Sequence, residues 1–383
     1  MDLQGNKLKF FPFFSNLKID WILFFSALII SFFGLLTMSS FESVDPFAEK
    51  QIVWLVISIC SFFILSLFDY RFLNKTKIVL ILFIISIVLL LTLFVLGHTA
   101  KGALSWFKFG DMSFQPAEPI KIVLIILLAK YFSRRHVEIA NFKHIFVSGL
   151  YALSIFGLLF LQPDFGSALV IFFIWFGMVM LSGISKKHLL FVFICGVITF
   201  SALWFYGLKD YQKNRIINFI HPLSDIRGSG YNAYQSTIAI GSGQILGKGV
   251  GYGTQSKLKF LPEYRSDFIF SAYAEEWGLV GVAILFFLFG VFIWRIIANA
   301  YYGATNFEIL FGLGLAVLFF SHFFINVGMS LGITPITGIT FPLMSYGGTN
   351  LLASYSALGI LMGMRRYRRD AHKDTIKNEF LGL

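Results

Sequence analysis

Apolar stretches separated by short polar segments recur ten times along the chain, close to Trp21–Met38, Ile52–Phe68, Ile78–Leu96, Pro119–Phe132, Ile145–Leu161, Phe165–Leu181, Leu189–Tyr206, Phe268–Ile297, Ile309–Leu331 and Leu351–Met364. A hydrocarbon core of about 30 Å takes roughly 20 apolar residues of helix, so this pattern predicts an all-α polytopic membrane protein with about ten transmembrane helices. The fourth and tenth segments are short. The eighth is long enough to tilt, kink or begin as a re-entrant piece. Residues 1–383 read as one integral membrane domain, with residues 207–267 as a large loop between the seventh and eighth helices.

Charge in the short loops orients the bundle. Arg71, Lys75 and Lys77; Arg134, Arg135 and Lys143; Lys186 and Lys187; and Arg365, Arg366, Arg368 and Arg369 all fall on one side with the N-terminus. By the positive-inside rule that side is the cytoplasm, so both termini are expected there. The opposite side receives Glu42, Asp45 and Glu49, the segment around Trp106, the Gln162-Pro-Asp164 turn, the long loop and Gly332–Gly348. The long loop carries eight Lys and Arg against four Asp and Glu. A long loop can translocate despite such charge, and its basicity suits an anionic ligand or anionic lipid headgroups.

Composition agrees: 57% of the 383 residues are hydrophobic, 13% are charged and 48 are Phe. No small-residue cleavage site follows the first apolar run, which is therefore expected to remain as an anchor. Cys60 and Cys195 lie in apolar runs and make no disulfide or Cys/His metal pattern. The net charge of +11 does not point to nucleic acid, because the basic residues gather in loops between apolar segments.

The chemistry concentrates around Phe260–Phe270. Asp267 ends a polar stretch and is followed at once by an apolar run, which puts a carboxylate at the water-lipid boundary, where desolvation raises its pKa towards that of a general base. The alternative is a helix N-cap. Upstream, Pro116 and Pro119 set the entry of the fourth helix, and Glu118 and Lys121 share a face. Intramembrane ionisable residues are functional candidates, with a structural Glu118–Lys121 pair as the alternative. Trp106 fits either a substrate contact or an interfacial belt. The loop from Gly228 to Ser256 has eight glycines, which suggests close backbone approach to a ligand or to another segment. It lacks the Ser or Thr of a phosphate-binding P-loop after Gly247-Lys248. Within it, Gln235–Ile240 reads as a short amphipathic helix. Pro335–Gly338 and Phe341–Gly348 break the apolar pattern, as backbone does where it lines a cavity. The isolated His98, His188, His221 and His322 show no metal-ligand spacing and read as structural.

Several of these strings together resemble the SEDS family of bacterial membrane proteins, and most closely its RodA-type members. They are Phe114-Gln-Pro-Ala-Glu118 with Lys121, Gln162-Pro-Asp-Phe-Gly-Ser167, Gln235–Gly243, Gly247-Lys-Gly249, Gly253-Thr-Gln-Ser256, Phe260-Leu-Pro-Glu263, Asp267-Phe-Ile-Phe270, Glu275-Glu276 and Ser345-Tyr-Gly-Gly348. Thr337, where the division-type sister family usually has Lys, favours the elongation type. The chain departs from the pattern at Tyr264-Arg265-Ser266, Trp277 and Thr349-Asn350.

The resemblance implies a peptidoglycan glycosyltransferase in the bacterial cytoplasmic membrane. It would polymerise lipid II into an undecaprenyl-linked glycan strand at the outer face, beside a class B penicillin-binding protein acting as transpeptidase. Asp267 then becomes the essential acid or base. The substrate-binding set is Lys121, Glu118, Trp106, Arg215, Gln235, Ser236, Lys248, Gln255, Arg265 and Ser345. Of these, Lys121, Arg215 and Lys248 are candidates for the pyrophosphates, alone or through a divalent cation (Mg or Mn). Membrane lipid is the other expected partner. A lipid flippase or transporter would need charges along a path through both leaflets, and a scaffold for the transpeptidase would leave Asp267 dispensable.

Overall fold

The computed structural model describes residues 19–40, 46–100, 103–110, 112–133, 142–183, 203–207 and 230–381, with isolated positions between 190 and 219. Its helices are α1 (Trp21–Ser39), α2 (Pro46–Ser66), α3 (Thr76–Leu96), α4 (Ala117–Ser133), α5 (Phe142–Leu161), α6 (Phe165–Leu181), α7 (Tyr231–Ser242), the single turn α8 (Thr254–Lys257), α9 (Ile269–Tyr301), α10 (Asn306–Ser330) and α11 (Gly348–Leu381). Nine of the ten expected segments fall on these helices. The seventh, Leu189–Tyr206, lies outside the described residues apart from isolated positions and a π turn at Leu203–Gly207, and Arg215 lies outside them too.

Among the described residues, six helices are long and apolar enough to cross a bilayer. Position in the bundle follows from which faces they bury. α3 buries one stripe, Val79, Ser86, Leu90 and Leu93, and exposes Ile81, Ile84, Ile85 and Val88, as a peripheral helix facing lipid should. α4 and α10 bury residues all round and form the centre. Small residues let the central helices approach closely: Gly314 of α10 lies against Ile125 of α4 and Met178 of α6. One feature was not anticipated. Three short antiparallel strands, β1 (His98–Ala100), β2 (Ala103–Phe109) and β3 (Met112–Phe114), lead into α4.

The eighth segment, long enough to tilt, kink or begin as a re-entrant piece, is broken near its start. α9 is broken at Gly278, whose φ of 63° and ψ of −165° are outside any helix. Phe270 stacks on Phe286 with centroids 5.8 Å apart, and the Tyr273 hydroxyl donates to Gly281 O at 3.0 Å. Sixteen residues of straight helix would separate Phe270 and Phe286 by about 24 Å. The chain therefore ascends from Ile269 to Trp277, reverses at Gly278 and descends from Leu279 to Tyr301. The descending arm, about 34 Å long at 1.5 Å per residue, spans the core by itself.

A reversal in the middle of an apolar run leaves backbone groups without helical partners, and those groups must be satisfied. The glycine-rich loop does this. Gln244 O and Ile245 O accept from Leu279 N (2.9 Å) and Val280 N (3.1 Å), while Lys248 N and Gly249 N donate to Glu275 O and Glu276 O at 3.0 Å each. Gly247, at φ 82°, is there because a Cβ would strike the Glu276 carbonyl. Of the two readings of the glycines, approach to another segment is the one realised here.

At the opposite end of the bundle α1, α9 and α11 are tied by one buried acid. Asp20 caps α1 through Leu23 N (3.2 Å) and accepts from Arg295 Nε (2.9 Å) and Asn299 Nδ2 (2.8 Å), with Arg365 Nη1 at 3.1 Å. Burial raises the pKa of Asp20, but the hydrogen bonds and charge of Arg295, Asn299 and Leu23 N outweigh it, leaving the carboxyl below its ordinary range. A depressed carboxylate contributes stability that is present above the unfolded pKa near 4 and lost as pH falls through the folded value. Asp20→Asn is expected to cost about 1.5–3 kcal/mol, the worth of hydrogen bonds to a charged group. Denaturation in detergent at neutral pH measures this, and the deficit relative to the native chain should shrink as pH drops below about 4.

Candidate active site

The site is built on the non-helical segment between α10 and α11. Its Ile339, Phe341, Leu343 and Met344 are buried, so its backbone has to find side-chain partners. Asn326 Nδ2 donates to Ile339 O (2.7 Å), and His322 Nδ1 faces Thr340 O (3.3 Å). Ser345 Oγ accepts from Phe341 N (2.8 Å), and Gln51 of α2 donates to Ser345 O (3.1 Å). The chain before α9 is stitched to the same segment: Tyr346 N donates to Arg265 O (2.9 Å) and Ser345 Oγ to Ser266 O (2.6 Å).

These bonds fix Asp267. Its carbonyl accepts from Asn326 Nδ2 at 2.8 Å, and its Oδ2 lies so near Gly338 that a Cβ there would be 3.6 Å away. The N-cap position of α9 is occupied by Phe268, which makes no side-chain cap. Asp267 is half-buried. It stands immediately before the ascending arm. Asn326 itself stands four residues, about 6 Å, inside the end of α10.

Glu118 and Lys121 are paired, with Lys121 Nζ donating to Glu118 Oε1 at 2.8 Å. The two differ in burial. Lys121 is fully buried and also meets His322 Nε2 at 3.1 Å, whereas Glu118 keeps 11% of its side chain exposed. Glu118, His322, Asn350 and Ser354 form the polar strip of a crevice walled by Ile122, Leu318, Phe319, Pro342 and Ala353. Lys121 thus stands behind Glu118 and does not reach the crevice as a contact for pyrophosphate.

The other expected residues divide. Ser236 is buried, bonding to Ser271 Oγ (2.6 Å) and Ser330 O (2.7 Å), and Ser345 is buried in the stitch above. Both hydroxyls hold elements of the fold together. Lys248 keeps 27% of its side chain exposed, and its Nζ is held by Glu275 Oε1 and Thr254 Oγ1, both at 2.7 Å. Gln255 reaches the same carboxylate through its backbone N (2.9 Å). Gln235 lies half-buried on α7, its Oε1 without a partner. Arg265 stacks on Phe47 (4.7 Å) and Tyr264 (4.9 Å). Trp106 is half-buried on β2 opposite His98, on a sheet joined to Gln162 O through Leu104 N (3.1 Å).

Glu275, His322 and Asn326 were not singled out from the sequence as site residues. Glu275 is fully buried and also accepts from Ser256 N and Oγ, which pins the loop to the reversal. Its signal was an acid pair within an apolar run. Among the described residues no three His, Cys, Asp or Glu side chains converge as a metal site requires.

The model of the FtsW/RodA/SpoVE family, described as cell cycle protein, matches residues 14–370. The chain belongs to this family. Within it, the chain is 37% identical to the peptidoglycan glycosyltransferase MrdB of Escherichia coli K12, over 75% of this chain and 78% of that one. It is 33% identical to the probable peptidoglycan glycosyltransferase FtsW of Haemophilus influenzae, over 91% and 90%. Among solved structures it superposes on a chain of a peptidoglycan synthase complex that coordinates polymerization and crosslinking, with a TM-score of 0.78, 32% identity and coverage of 91% and 98%. On the rod shape determining protein RodA of Thermus thermophilus the TM-score is 0.68 at 29% identity, covering 91% and 97%. As in that family, the fold here is a polytopic membrane bundle.

Proposed function

We propose that this FtsW/RodA/SpoVE-family chain is a peptidoglycan glycosyltransferase of the elongation type, which polymerises lipid II at the outer face of the cytoplasmic membrane. The observation that carries the reading is the placement of Asp267 against the broken segment between α10 and α11, which also borders the Glu118 crevice through Pro342. Asp267 takes the proton from the GlcNAc 4-hydroxyl of one lipid-linked chain. That oxygen forms a bond to the anomeric MurNAc carbon of the other as the bond to undecaprenyl pyrophosphate breaks, with inversion. Glu118, its charge balanced by Lys121, lines the crevice as a hydrogen-bond acceptor for substrate. A divalent cation brought with the pyrophosphate would help neutralise the leaving group.

The reaction has an acid-base centre at one end of the bundle and needs none at the other, where the Asp20 cluster is fully paired. The working partner is a class B penicillin-binding protein, consistent with the synthase complex on which the chain superposes. The purified protein, incubated with lipid II with and without that transpeptidase, is expected to make glycan strands. No polymer under either condition, from folded protein, would overturn the assignment.

Orientation has its own test. With both termini in the cytoplasm, a cysteine placed at the exposed Tyr252 should be labelled by an impermeant maleimide from outside. Labelling solely from the cytoplasmic side would invert the topology and remove the mechanism with it.

A further inference from the structure

His322 and Asn326 are four residues apart on α10 and therefore on one face of that helix. Each has two polar contacts, and the pattern is the same for both. On one side they engage consecutive carbonyls of the broken segment, Asn326 through Ile339 O (2.7 Å) and His322 through Thr340 O (3.3 Å). On the other they engage the two acid-base centres: Asn326 donates to the carbonyl of Asp267 (2.8 Å), and His322 Nε2 meets Lys121 Nζ (3.1 Å). From this geometry we infer that the two side chains form a fork that sets the position of Asp267 relative to the Glu118–Lys121 pair. They act as positioning residues for the transfer reaction, a role that rests on the site proposed above.

The chemistry of the partners fixes how the fork is protonated. A carbonyl only accepts, so His322 carries its hydrogen on Nδ1, and the Nε2 lone pair accepts from the Lys121 ammonium. An imidazolium would direct an N–H at that ammonium. Both Asn326 contacts are to carbonyls, so its NH2 makes them and its Oδ1 is left buried without a partner. An orphaned buried oxygen carries a desolvation penalty. Packing alone would be met as well by an apolar side chain of similar volume, so the retained amide is accounted for by the two carbonyls it holds together. The distances needed for reaction leave little slack: a misplacement of about 1 Å can cost roughly 10²-fold in rate.

The test is a double-mutant cycle on the full chain, reading lipid II polymerisation at matched folded amounts. His322→Phe is expected to lower kcat about tenfold or more, with a smaller change in KM, because it displaces Lys121 and Glu118. His322→Gln carries an acceptor where Nε2 stands and should recover most of the rate, whereas His322→Asn, which reaches only Thr340, should not. This pair decides the question if the Phe variant does not fold. In a Lys121→Met background, His322→Phe should cost less than about threefold further, since the two act through one contact. Multiplicative losses, or equal activity of the Gln and Asn variants, would overturn the fork while leaving the site intact. Near-native activity of Lys121→Met alone would instead overturn the site reading.

Discussion

Asp267→Asn is expected to leave a folded protein that still binds lipid II and to lower polymerisation by roughly 10²–10⁴, the contribution of a positioned general base. The structure gives a reason to expect the fold to survive. Asp267 is fastened through its backbone carbonyl to Asn326, and Asn keeps that carbonyl. The N-cap position of α9 belongs to Phe268, so no capping bond at that position is lost. What Asn removes is the proton acceptor beside Gly338. Glu118→Gln should lose activity as well, but with a different signature: it weakens an acceptor on the crevice wall and unbalances buried Lys121, so folded yield should drop with rate. Thermal unfolding and lipid II binding separate the two variants. Polymerisation by Asp267→Asn within about threefold of the native chain would move the search for the base to Glu118 and Glu263.

Much of this arrangement was readable before any coordinates, and the part that was not has a common physical cause. Nine apolar segments landed on helices because the bilayer imposes a length and a composition that no local detail can hide. Asp267, Glu118 and Lys121 stood out because ionisable groups among apolar ones are costly. The reversal at Gly278 was hidden, since the residues after it continue the apolar run and the groups that cap it, Gln244 to Gly249, lie some thirty positions upstream. Only the excess length of the segment and the Glu275-Glu276 pair hinted at it. The partners that Ser236, Ser345 and Lys248 have within the fold, Ser330, Ser266 and Glu275, were not legible because they are distant in sequence. His322 looked inert for want of a second metal ligand, when its partners were a lysine two hundred residues away and a carbonyl.

The second large effect is expected at the reversal, where one substitution made twice in α9 should give opposite results. Gly278→Ala places a methyl group against the backbone N of Gly247, at a φ of 63° and ψ of −165° that is essentially open to glycine alone. The obstacle is backbone, not the end of a flexible side chain, so relief requires the loop to withdraw. Withdrawal breaks the bonds to Leu279 N and Val280 N and uncovers Glu275, which is fully buried and relies on that loop for its partners. The ascending arm then loses its register, and Asp267 with it. Activity should fall by about 10² or more even in whatever fraction stays folded, as a displacement of about 1 Å suffices for that. Gly290→Ala, twelve residues on in the descending arm, meets nothing within 4 Å. There the change replaces the weaker helix former by the stronger, worth about 0.8–1 kcal/mol, so the thermal midpoint should hold or rise and the rate should not change. Equal behaviour of the two variants in thermal unfolding and lipid II polymerisation would mean that the loop does not hold the reversal, and that the position of Asp267 is set by the broken segment alone.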